Sequence, residues 1–272
     1  MAQQRGWCQA GWLLVSALAG VLACSAEARG QQAPDIPQPP SALAPENLAK
    51  ARPAAPFNLT GNWFIENTPP VQGWLFGPAA IPKLTPEAQK YRDAYVKAAA
   101  EGKVYRDDIG QCWPAGVPII MTRVWPIAMI QVPTAVYMIS GFMNSLRTVF
   151  LDGRTHTDPD IVVRTFNGES IGHWEGDTLV VETKNFIEDE HRWVDQGVRA
   201  SGDLRIVERI RMVNGGRTLE IQMTLTDPKN WEGDYTGTRR WNRVDDIDIA
   251  EVECLPDLNE HLQSMSSKVH VR

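Results

Sequence analysis

An excess of basic residues is missing from this sequence: 27 Lys and Arg against 33 Asp and Glu leave a formal charge of -6. Binding to nucleic acid by counterion release needs the opposite sign, so that partner class is excluded. Cysteine is scarce, at four residues, and no C-x-x-C spacing occurs, which removes the usual frame of a structural zinc site. No Gly-rich phosphate loop follows a strand pattern. Gly168-Glu169-Ser170-Ile171-Gly172 has the G-x-S-x-G form, but it lies in a strand–turn–strand pattern, the wrong setting for a nucleophile elbow, which needs a strand-to-helix turn. Beyond Ala23 no apolar run is long enough to cross a bilayer as a helix.

The first residues carry the one long apolar run. Arg5 precedes an uninterrupted stretch from Ala10 to Ala23, long enough for a secretory signal and too short for a stable anchor. Two processing readings stand side by side. Ala26-Glu27-Ala28 fits small-x-small cleavage, so that 1–28 is a signal peptide and a soluble protein starts near Arg29. Val21-Leu22-Ala23-Cys24 resembles a lipobox, so that the signal ends before Cys24 and a lipid on Cys24 anchors the protein to a membrane. Either way the expected location is the periplasm or cell envelope. Residues 29–57 are rich in Pro and Ala and poor in large apolar side chains, which predicts a disordered leader. Residues 58–272 are expected to form a single domain.

Of the four cysteines, Cys8 and Cys24 belong to the signal. Cys112 and Cys254 remain, and in an oxidising compartment they suggest a disulfide tying the early part of the domain to its final strand. Two buried free thiols are the other reading.

One segment reads as a helix. Thr85 is suited to the N-cap, Pro86 to the first helical position and Glu87 to the first turn. Ala88, Tyr91, Ala94, Tyr95 and Ala98 share a face, and Gly102 ends the run. The remainder reads as strands over 136–142, 145–151, 171–175, 178–186, 204–213, 219–225, 236–244 and 249–254. Asn214-Gly215-Gly216 and Gly176-Asp177 supply tight turns. About eight consecutive strands with short links predict a mainly β chain: an antiparallel β-barrel with one N-terminal α-helix.

Two resemblances add to this. Leu59-Thr60-Gly61-Asn62-Trp63 looks like the G-x-W opening of lipocalin-like (calycin) barrels. That resemblance implies that Trp63 lies across one barrel end with a late basic residue packed over it, for which Arg239, Arg240 and Arg243 are candidates. A helix ahead of the strands departs from lipocalin order. The second resemblance covers most of the domain: Cys112-Trp113-Pro114, Asp152-Gly153-Arg154-x-His156, Ser170-Ile171-Gly172-x-Trp174-Glu175-Gly176-Asp177-Thr178-Leu179-Val180-Val181, and Glu208-Arg209 with Asp227-Pro228. These are similar to signatures of a large family of exported bacterial proteins of undefined activity. It implies compartment and fold rather than a reaction.

Glu208 is the first candidate for chemistry. It shares a strand face with Leu204, Ile206, Ile210 and Met212, so its carboxylate should point inward, where desolvation favours the neutral form. A buried ion pair with Arg147 is the plainer account, because Arg147 shares a face with Val149 and Leu151. His156 with Asp152 is a second acid/base candidate. His156, His173 and His191 show no paired spacing, so no metal site is predicted, and nothing implies a cofactor. Among the ten tryptophans and other aromatics, Trp174, Tyr137 and Phe150, with Arg147, are candidates to line a small-molecule cavity. The leading expectation is binding of an apolar or aromatic small molecule in the barrel. An acid/base enzyme (isomerase, hydratase or lyase) using Glu208, His156 and Asp152 is the alternative, and a solidly packed envelope protein is a third.

Overall fold

Alternation of buried and exposed side chains marks most of the barrel strands in the computed structural model, which describes residues 39–66, 75–102, 109, 111–123 and 125–254. The strands are β1 (Gly61–Ile65), β2 (Ile127–Val132), β3 (Ala135–Ser140), β4 (Leu146–Phe150), β5 (Glu169–Glu175), β6 (Thr178–Lys184), β7 (Trp193–Asp195), β8 (Val198–Arg199), β9 (Arg205–Val213), β10 (Thr218–Thr226) and β11 (Asp234–Val244). Nine of them close a barrel in the order β1-β11-β10-β9-β6-β5-β4-β3-β2, while β7 and β8 form a separate hairpin. The readings of the N-terminal signal and Cys24 fall outside the described residues.

The strand count and topology correct the sequence expectation. Segment 249–254 alternates apolar and polar residues but forms no strand. Pairing of β1 with β11, from Asn62↔Val244 to Ile65↔Trp241, closes the barrel and leaves no free edge for it. Two unforeseen strands, β1 and β2, complete the circle; they pair through Trp63↔Ile127. The meander is also broken once, because β4 and β5 run parallel, with Val149 opposite Ser170. The chain must therefore return through 151–168 before β5 begins. The hairpin turn at Asn214-Gly215-Gly216 is where the sequence puts it, with all three residues at positive φ.

The expected helix is α2 (Pro86–Ala100), whose N-cap Thr85 accepts a hydrogen bond from Ala88 N, with Ala88 and Ala98 buried. It follows a second, short helix, α1 (Pro45–Leu48). Residues 39–57, expected as a disordered tether, instead pack on the barrel. Ala42 is buried and its carbonyl accepts from Thr134 Oγ1 at 2.6 Å. Asn47 is buried and donates to Asp152 Oδ2 at 2.9 Å. These polar anchors, with Phe57 packed against the core, hold a segment whose composition argued for disorder.

Inward-facing side chains fill the barrel. Trp63, Trp241, Tyr235, Met129, Met223 and Ile221 are fully buried. Of the three candidate arginines, Arg243 packs over Trp63, with Cζ 4.4 Å from the ring centre, and donates to Thr60 O at 2.8 Å. Gly61 permits this approach: its φ is +144°, and a Cβ there would strike the Arg243 guanidinium. Cys112 and Cys254 lie at disulfide-bonding distance, their Cα atoms 5.5 Å apart. Cys254 sits in the segment after β11, not on a final strand.

Candidate functional site

Glu208 and Arg147 meet in the barrel interior, as their strand faces imply. Arg147 Nη1 donates to Glu208 Oε1 at 3.1 Å and Nη2 donates to Oε2, giving a two-point ion pair. Arg147 Nε also donates to Ser170 Oγ at 3.1 Å and Nη2 to Thr183 Oγ1 at 3.0 Å. The two hydroxyls lie 2.8 Å from each other. Glu208 and its neighbours Val181, Ile206 and Met223 retain at most 1% of their surface, so no water-sized space adjoins the carboxylate. Both oxygens are engaged by a cation, which suits structure better than proton transfer.

The acid/base pairing of His156 with Asp152 does not form. Asp152 is taken by Arg154, through Nε at 2.8 Å and Nη2 at 2.6 Å, and by Asn47. Burial pushes the Asp152 carboxyl up, but these donors outweigh it and hold the group at about 2. His156 Nδ1 instead lies 2.9 Å from Glu169 Oε2, with Nε2 3.4 Å from Glu182 Oε2. Glu169 also accepts from Thr157 N, Thr157 Oγ1 and Asn185 Nδ2, which fixes the 151–168 return against the wall.

Glu208 and His156 are separated by that wall. Glu169 and Glu182 hold His156, whereas their neighbours on the same strands, Ser170 and Thr183, bond Arg147 inside. Successive strand residues face opposite sides, so the two groups cannot share a substrate within one cavity. His173 is exposed beside Glu175, and His191 lies against Asp189 with Trp113 stacked on its ring at 3.5 Å.

The aromatic candidates divide similarly. Tyr137 and Phe150 alternate with the buried Val136, Met138 and Val149, so they face outward; Arg154 stacks over Phe150 at 3.9 Å. Their reading as interior ligand contacts is therefore corrected. Trp174 follows the inward positions Ser170 and Gly172 and emerges at the barrel mouth. There its ring meets Phe57 edge-on, centres 4.9 Å apart. Between the 48–58 segment and the barrel rim lies a cleft of about 1030 Å³, lined by Trp174, Phe57, Leu151, Pro56 and Pro133, with Arg52 and His173 among its polar groups. Arg147 lies inside the barrel and does not line it.

At the opposite end lies a polar cluster that the sequence reading missed. Asp195 of β7 accepts from Tyr235 OH at 2.5 Å, Leu75 N at 2.8 Å and Gln196 N at 2.7 Å. Burial nevertheless pushes its carboxyl up, and burial together with the Asp195 charge raises the Tyr235 phenol. Arg123 stacks over Trp193 at 4.9 Å, and burial lowers its pKa. Arg239 is 4% exposed on the inward row of β11 with Tyr235 and Trp241. The face rule that singled out Glu208 applies equally to Arg239, although the resemblance directed attention to Trp63 instead.

No family model matches this chain, and no curated protein matches it.

Proposed function

We propose that this chain is an exported protein of the bacterial envelope whose barrel, read as lipocalin-like, binds an apolar or aromatic small molecule at its mouth. The observation that carries the reading is the edge-on pair of Trp174 and Phe57 lining the cleft of about 1030 Å³. A volume of this size accommodates a drug-sized ligand, and two half-buried aromatics offer it a flat apolar contact. Export is supported by Arg5 and the apolar run Ala10 to Ala23, and by the resemblance to exported proteins. Trp63 beneath Arg243 supports the lipocalin-like reading of the barrel.

The test uses the uncharged probe N-phenyl-1-naphthylamine, whose fluorescence rises in apolar sites. Saturable binding at one site is expected, weakened about tenfold in Trp174→Ala. Undiminished binding in that variant, or no saturable binding to the wild type, would sink this reading.

A further inference from the structure

Arg239 is almost completely buried, yet among the described residues neither its Nε nor its Nη2 has a hydrogen-bond partner. These two nitrogens form one edge of the guanidinium, the edge that grips a carboxylate with two parallel hydrogen bonds. Asp195 is the acid whose charge reaches Arg239, but Leu75 N, Tyr235 OH and Gln196 N already engage its oxygens. Asp195 also acts on Arg123 and Arg92, so three cations face one acid at this end of the barrel. A buried guanidinium with an idle binding edge is costly unless an anion completes it.

The geometry points to a second binding site here, in which the Nε/Nη2 edge of Arg239 takes the carboxylate of a small apolar organic acid. The bound carboxylate adds a second negative charge where three cations meet the single acid Asp195. The surroundings set the apolar part: Arg239 lies opposite Ile221, which lies opposite Ile210, and Tyr235, Trp241 and Trp193 are nearby on the inward row or under Arg123. Phe76 is the side chain that makes room. Its ring lies against the bare backbone of Gly237, where a Cβ would not fit, and meets Tyr235 edge-on at 5.0 Å. Gly237 is the next inward position to Arg239, so this ring is the neighbour whose displacement would open space beside the guanidinium.

The test is calorimetric titration of the purified protein with octanoate, phenylacetate, octan-1-ol and inorganic phosphate. At least one carboxylate should bind with one-to-one stoichiometry, and octan-1-ol at least tenfold more weakly. Arg239→Met should weaken carboxylate binding at least tenfold while raising the melting temperature, because it removes a buried unpaired charge. Phe76→Ala should keep or tighten binding. Trp174→Ala should leave carboxylate binding unchanged, which separates this site from the barrel mouth. No carboxylate binding, tighter binding of phosphate, equal binding of octan-1-ol, loss of binding in Phe76→Ala, or a lower melting temperature in Arg239→Met would each overturn the assignment.

Discussion

Arg147 and Glu208, 61 residues apart in sequence, close a two-point ion pair inside the barrel with neither side chain more than 1% exposed. Removing either partner strands a buried charge. Arg147→Met and Glu208→Leu should each destabilise the fold by about 3–5 kcal/mol, read as a lower urea midpoint. The double variant should recover most of that loss, since Ser170 and Thr183 retain each other. Losses that simply add would show that the pair is not a coupled unit.

The Cys112–Cys254 bond spans 142 residues of chain. In the chain-entropy account a loop of that length contributes about 3–5 kcal/mol by restricting the unfolded state. The unreduced protein should be lighter than the reduced protein by two hydrogens in intact mass, and Cys112→Ser with Cys254→Ser should lower the denaturation midpoint accordingly. Two thiols titrating in denaturant without reductant would rule the bond out.

Asp152 should make the fold acid-sensitive. Its carboxyl is held down from 3.8 to about 2, burial being outweighed by Arg154 and Asn47. A depressed pKa means that the folded state prefers the ionised form. The stabilisation is therefore complete above about pH 4 and disappears as the pH falls toward about 2. Allowing for solvent screening, the contribution is about 1 kcal/mol. Wild type should exceed Asp152→Asn in stability by that amount at neutral pH and converge with it near pH 2. A difference independent of pH would exclude this origin.

Much of the barrel wall was legible because side-chain direction is a local property. Period-two alternation placed Glu208 and Arg147 on inward rows, and Asn214-Gly215-Gly216 announced its turn through residues that accept positive φ. The same pattern misled at 249–254, where alternation occurs without a neighbouring edge to pair with. It passed over β2, whose apolar run Ile127 to Ile130 hides its alternation. The candidate site was less legible. His156 and Asp152 are four residues apart in the chain, but the return to β5 turns them toward different partners.

The sequence by itself determined the inward rows that carry Glu208 and Arg147, where the long helix begins and where the hairpin at Asn214 turns, since each depends on a few adjacent residues. Only the tertiary structure decided that β4 and β5 run parallel and that β1 closes on β11. It also decided that 39–57 docks through Asn47 and Ala42, that Glu208 is neutralised by Arg147, and that Arg239 is left with an idle edge. Those outcomes depend on closing loops of tens to hundreds of residues and on which polar groups meet once they close, and neither is encoded in any local stretch of the chain.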